Sequence, residues 1–183
     1  YKGAVLIDDE KIIRIFRGNE IPSETINSST LLDAKEKTLI PGVIDDHVHF
    51  REPGLTYKAD INSESVAAAA GGITSYCEMP NTKPQTTSHR ELKKKHEIAA
   101  KSSLANYSFY LGATNENIKE IEKVDPSCTC GIKLFMGAST GNMLVDNSRT
   151  LDSIFAGSPT LIACHCEDEA TIKNNLAYYK NKF

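Results

Sequence analysis

No stretch of this chain is apolar for the roughly 20 residues that a membrane span takes. The longest such run, residues 66–74, is made largely of alanine and glycine, so no membrane partner is expected. Nor is there an excess of basic charge. The 21 Lys and Arg are outnumbered by 24 Asp and Glu, giving a net charge of -3, and without a basic patch or stripe a nucleic-acid partner is not expected. Cysteine is too sparse for a disulfide framework, with five residues, an odd number. Free thiols in a reducing compartment follow, which points to the cytoplasm. A secretory signal is lacking too. The chain opens at Tyr1-Lys2-Gly3, in what reads as a strand, so the true N-terminus and any targeting segment are expected to lie upstream.

What is present is ordinary for a globular protein: 40% hydrophobic and 25% charged residues. Residues 1–42 read as short strands. The pair 4–8 and 11–16 flanks the acidic turn Asp8-Asp9-Glu10, and the pair 31–34 and 38–40 flanks a second charged turn, both in hairpin pattern. This is expected to be part of a small β-sandwich-like domain. From residue 43 to 183 the pattern changes. Short apolar strands at 43–46, 73–79, 105–112, 131–135 and 161–165 alternate with helical stretches near 61–70, 90–100, 116–124, 151–155 and 168–180. Repeated strand–helix units imply a parallel α/β sheet with covering helices. A doubly wound sheet and a (β/α)8 TIM barrel both fit that order. Polar residues at successive strand ends (His47, His49, Asn81, Lys133, His165) favour the barrel, which gathers strand ends at one rim. A barrel takes about 250 residues, so the first five βα units are expected here.

The chemistry concentrates at Asp46-His47-Val48-His49-Phe50-Arg51-Glu52-Pro53-Gly54. In an extended segment residues i and i+2 point the same way, so His47 and His49 offer two imidazoles to one side, a ready pair of metal ligands. Alone, such a pair is more often two polar residues at a strand end. Arg51 follows on the same side, where a guanidinium needs an anion, either a substrate carboxylate or a structural partner such as Glu52 or Asp45. Lys133, in Gly-Ile-Lys-Leu-Phe, lies inside an apolar strand. It either snorkels to solvent or, desolvated, becomes a nucleophilic amine able to capture CO2 as an anionic carbamate. His165 ends the fifth strand as a further candidate ligand. Asn81 offers both a donor and an acceptor to an amide-like substrate, or forms a plain turn. A structural zinc site from Cys128, Cys130, Cys164 and Cys166 is disfavoured, because Cys164 and Cys166 face away from His165 and lack the usual thiolate spacing. Cys77 reads as core. The charged run 91–95 and the helix 168–182 read as solvated helix faces without a role.

PGVIDDHVHFREPG, AAAAGGITSYCEMPNTKP, GIKLF and ACHCEDE, in this order and spacing, closely resemble dihydroorotases of the amidohydrolase superfamily. The resemblance covers nearly the whole chain and implies a TIM barrel of the metal-dependent hydrolase type with two zinc ions. By that resemblance His47 and His49 match ligands of one zinc. Lys133 matches the carboxylated lysine that bridges the metals, and His165 matches a ligand of the other. Arg51 and Asn81, beside His49, match residues that bind the substrate. Ser139 and Thr140 fall where some members carry a loop over the substrate. A further histidine and the general-base aspartate are expected beyond Phe183, so the catalytic set within the chain is incomplete. The implied activity is reversible hydrolysis of dihydroorotate to N-carbamoyl-aspartate in pyrimidine biosynthesis, with a small-molecule substrate and room for a homodimer. Allantoinases and hydantoinases are the related alternatives, and a non-catalytic homologue is a third.

Overall fold

A computed structural model describes residues 2–18, 20–137 and 141–183. Ser139 and Thr140 lie outside the described residues. The chain forms two compact units, Tyr1–Pro41 and Gly42–Phe183.

In the first unit β1 (Gly3–Asp8) and β2 (Lys11–Arg17) form an antiparallel hairpin around Asp9, whose φ is +50°. A short helix α1 (Ser23–Asn27) follows, where no helix was expected. The second expected hairpin is absent, and residues 28–42 contain no strand. Its turn does form: Lys35 and Glu36 adopt positive φ and Lys37 N–H donates to the Ala34 carbonyl. Leu31, Leu32, Leu39 and Ile40 on its flanks are exposed. A turn brings two segments together, but a ladder also needs a buried face to fix its register, and these flanks have none.

The second unit alternates strands and helices: β3 (Val43–Val48), α2 (Ile61–Ala70), β4 (Ile73–Glu78), α3 (His89–Ser102), β5 (Asn106–Gly112), α4 (Ile118–Ile121), β6 (Gly131–Phe135), α5 (Ser148–Gly157), β7 (Ile162–His165) and α6 (Glu169–Lys182). The five strands are parallel and lie in the order β3-β4-β5-β6-β7. A doubly wound sheet reverses its strand order at a switch point. This one runs on without reversal, as the wall of a barrel does. Side chains cap several of these helices at their starts: Asp60 forms a capping box with Ser63 at α2, Ser88 accepts from Glu91 N–H at α3, and Asn147 accepts from two N–H groups at α5. The stretch expected as helix 116–124 shortens to one turn. Asn117 spends its side chain on Thr114, Thr87 and Gly112, and the residue before Pro126 is biased out of the helical region.

Two apolar clusters lie between the sheet and its helices. One joins Leu111, Ile132 and Leu134 to Ile121, Val124 and Ile154, with Ile162 and Cys164 packed against it. The other joins Phe50, Tyr76 and Phe109 to Ile61, Leu92 and Ala99, with Val48 packed against it. Because successive strand residues alternate in direction, these clusters decide which residues face the other way. Val48 inside turns His47 and His49 to the opposite face. Ile132 and Leu134 do the same for Lys133, and Ile162 and Cys164 for His165.

Candidate active site

His47 and His49 sit at the C-terminal end of β3 with ring centroids 5.3 Å apart. His49 Nδ1 lies 2.7 Å from Asn81 Oδ1. An amide oxygen only accepts, so Nδ1 carries the hydrogen and Nε2 keeps its lone pair. A ligating histidine is held by just such a bond on its other nitrogen. Burial lowers the His49 pKa below 6.5, and the nearby charges of Arg51, His47 and Lys133 push the same way against the Asn81 bond. The shift favours the neutral imidazole, the form that binds a metal.

Lys133 lies on β6, opposite Gly112 on one side and Ala163 on the other. The residue is 2% exposed, and its Nζ stands 5.0 Å from the Phe135 ring centroid. Among the described residues no carboxylate forms an ion pair with it. Burial lowers its pKa, although the Cys164 and Cys166 thiols oppose that shift. His165 is registered against Phe135, with ring centroids 6.0 Å apart. Its Nε2 is sealed from solvent without a hydrogen bond, and Glu167 Oε2 lies 3.3 Å away. Glycine at 137 suits this crowding, because a Cβ there would strike Glu167.

Arg51 follows β3 at φ +72°. Its backbone N–H donates to Glu78 Oε1 at 2.9 Å, and its guanidinium makes no ion pair among the described residues. Neither suggested structural partner takes it: the Glu52 carboxylate accepts from Ile61 N–H, and Asp45 accepts from His47 N–H. The loops after β3 and β4 interlock. Lys83 N–H donates to the Pro53 carbonyl, and Gly54, at φ +83°, lies so close that a Cβ would collide with the Lys83 carbonyl.

The strand ends bring His47, His49 and Asn81 together, the Arg51 and Lys133 charges act on His49 from nearby, and His165 is joined to β6 through Phe135. Among the described residues no three His, Cys, Asp or Glu side chains group closely enough to hold a metal by themselves. All five cysteines are free. The solvated-face reading of the run 91–95 is corrected here. Glu91 and Lys95 are buried, and Lys95 pairs with Glu78, a pair missed in the sequence. The signal was there: Leu92, Lys95 and Ala99 recur at helical spacing, so the lysine lies on the stripe facing the sheet.

The sequence model of dihydro-orotase-like proteins matches residues 36–178. The chain belongs to the dihydroorotase-like family. It is 34% identical over 178 residues to a dihydroorotase of Methanothermobacter thermautotrophicus, covering 96% of this chain and 38% of that protein. It is 36% identical over 132 residues to an allantoinase of Desulfitobacterium hafniense, covering 72% and 28%. Among solved structures, the L-hydantoinase of Arthrobacter aurescens aligns with a TM-score of 0.82 at 30% identity, over 98% of this chain and 40% of that one. The chain spans about two fifths of the length of the first curated relatives it matches, 38% and 39%. Among the described residues no helix is long and apolar enough to cross a membrane.

Proposed function

We propose that the protein is a zinc-dependent dihydroorotase, which reversibly opens the cyclic amide of dihydroorotate to N-carbamoyl-aspartate. The observation that carries this reading is the Arg51 guanidinium near the His47–His49 pair, without an ion-pair partner among the described residues: an anion-binding group at the edge of a metal-type ligand set. Dihydroorotate has a ring carboxylate for it, whereas a plain hydantoin ring has none. Asn81, its oxygen occupied by His49, has its NH2 group left to donate to the same carboxylate.

The residues fit a pair of ions on three counts. His49 has an open Nε2, the His165 Nε2 makes no hydrogen bond and has only the Glu167 carboxylate 3.3 Å away, and Lys133 is a buried amine with no carboxylate paired to it among the described residues. His47 and His49 would hold one ion and His165 the other. Burial shifts the Lys133 amine towards its neutral form, which would add to CO2 with formation of an N–C bond and loss of one proton; the resulting carbamate would give the ions an anionic oxygen ligand. When bound, zinc supplies an acidified water and polarises the amide carbonyl. The chain's own part is orientation, with Arg51 and Asn81 gripping the carboxylate so that the ring amide faces the histidines.

The similarity to an allantoinase and to L-hydantoinase favours a second reading, a cyclic amidohydrolase of a neighbouring specificity. Turnover of dihydroorotate, allantoin and hydantoin by the native, zinc-loaded protein separates the two. Dihydroorotate is expected to be preferred, and Arg51→Ala to lose roughly 1.5–3 kcal/mol of charge-assisted hydrogen bonding, about ten- to a hundredfold in kcat/KM. Unchanged dihydroorotate turnover in that variant would remove the carboxylate role. Absence of turnover with all three rings would favour a non-catalytic homologue.

A further inference from the structure

Glu78 ends β4, and its side chain shares the helix-facing side with Tyr76. There it meets Lys95 of α3. Oε2 and Nζ are 2.9 Å apart, and both side chains are 0% exposed. Lys95 Nζ also donates to the Met79 carbonyl at 2.9 Å and stands 5.1 Å from the Phe109 ring centroid. Removing two charges from water offsets most of their mutual attraction, so a buried pair is a weak device for stability alone. The other carboxylate oxygen suggests what the pair is for. Glu78 Oε1 accepts the backbone N–H of Arg51, a non-glycine residue at φ +72°. Such a backbone persists only where its surroundings over-determine it.

We propose that Glu78 and Lys95 are positioning residues that fix the Arg51 backbone so that its guanidinium meets the substrate carboxylate. The inference rests on the carboxylate role given to Arg51 above. An ionised carboxylate is acceptor-only and binds an N–H more strongly than a neutral group does. Burial pushes the Glu78 carboxyl towards its neutral form, and Lys95 is the main opposing influence. Lys95 offsets part of that push at 2.9 Å from Oε2, while Oε1 holds the Arg51 N–H. The same carboxylate bridges β4, α3 and the loop after β3, so a displacement of α3 would reach the arginine with no contact to substrate.

The test uses the native, zinc-loaded protein. KM and kcat are measured for dihydroorotate, and Ki for dihydrouracil, the same ring without the carboxylate. The variants are Glu78→Gln, the neutral pair Glu78→Gln with Lys95→Met, Arg51→Ala, and the triple combination. The neutral pair guards against Glu78→Gln failing to fold because it strands a buried cation. The expected result is a KM for dihydroorotate raised about tenfold, with kcat kept within about twofold and Ki for dihydrouracil unmoved. In the Arg51→Ala background the neutral pair adds nothing further. If Arg51→Ala raises KM but the neutral pair does not, or if the pair's effect persists without Arg51, the positioning role is overturned. If Arg51→Ala itself leaves KM unchanged, the carboxylate reading falls, and this inference falls with it.

Discussion

Lys95 and Lys133 are both buried lysines, and what separates them is the counter-charge. Lys95 has Glu78 at 2.9 Å. Lys133, in the middle of an apolar strand paired on both sides, has the Phe135 ring. A buried cation is costly without an anion, and among the described residues no carboxylate pairs with Lys133; a carbamate there would exchange the cation for an anion that bound metal ions could balance. Carbon-13 bicarbonate added to the native, zinc-loaded protein is therefore expected to give a carbamate resonance that Lys133→Ala lacks. Bound zinc in that variant should fall below the wild-type content; full retention would remove the bridging role. His49 makes a second prediction. Its pKa is lowered from 6.5 by burial, so between that lowered value and 6.5 the unfolded chain binds more protons than the folded one. Stability then rises with pH through this window. Its contribution is complete above 6.5 and is lost as pH falls through the folded value. Thermal melts of the metal-free protein should show this slope, and His49→Gln should flatten it.

At the scale of elements, the site depends on two loops that hold each other rather than on the strands alone. The loop after β3 crosses the loop after β4 at Gly54, where positive φ and the Lys83 carbonyl together exclude a side chain. Gly54→Ala is expected to destabilise the protein by at least about 1 kcal/mol and to weaken dihydroorotate binding by shifting Arg51. Denaturant unfolding and KM read the two effects. A variant with lost stability and unchanged KM would show that the loop crossing does not set the arginine. The strands that carry these loops were legible in the sequence because each is short, apolar and followed by a helical stretch. β6 was read at its observed bounds, Gly131–Phe135, and α2 at Ile61–Ala70. The hairpin at 31–40 was not legible as absent. Its turn signal is genuine, and only the exposure of its flanks denies it a ladder. Alternation along the strands put His47, Lys133 and His165 on the face away from the helices, as the packing of Val48, Ile132, Ile162 and Cys164 has it; Arg51 and Asn81 lie in loops beyond the strands, where only the motifs singled them out. The Glu78–Lys95 pair was missed although the spacing of Leu92, Lys95 and Ala99 marks the buried stripe, because the dense charge on α3 reads at first as a solvated face.

Across the whole sheet, parallel strands in unbroken sequence order leave β3 and β7 as the outermost members. Each has one partner among the described strands, so each presents a row of backbone donors and acceptors on its other side. Such rows template pairing with another chain unless charge, proline or a covering element blocks them. Here the blocking is weak. Val43 and Ile44 on β3 are exposed, as is Leu161 beside β7. α6 has no buried residue at all, and Ile172, Leu176, Tyr178 and Tyr179 stand out from it. Apolar helix surface of that extent normally packs on something. Expressed as these 183 residues alone, the chain is expected to self-associate. Light scattering coupled to gel filtration should find species well above 20.1 kDa, growing with concentration, and lysine placed at Ile44 and Leu176 should reduce them. A monodisperse 20.1 kDa species that unfolds cooperatively would mean that the strand edges and the exposed face of α6 are satisfied within the chain itself.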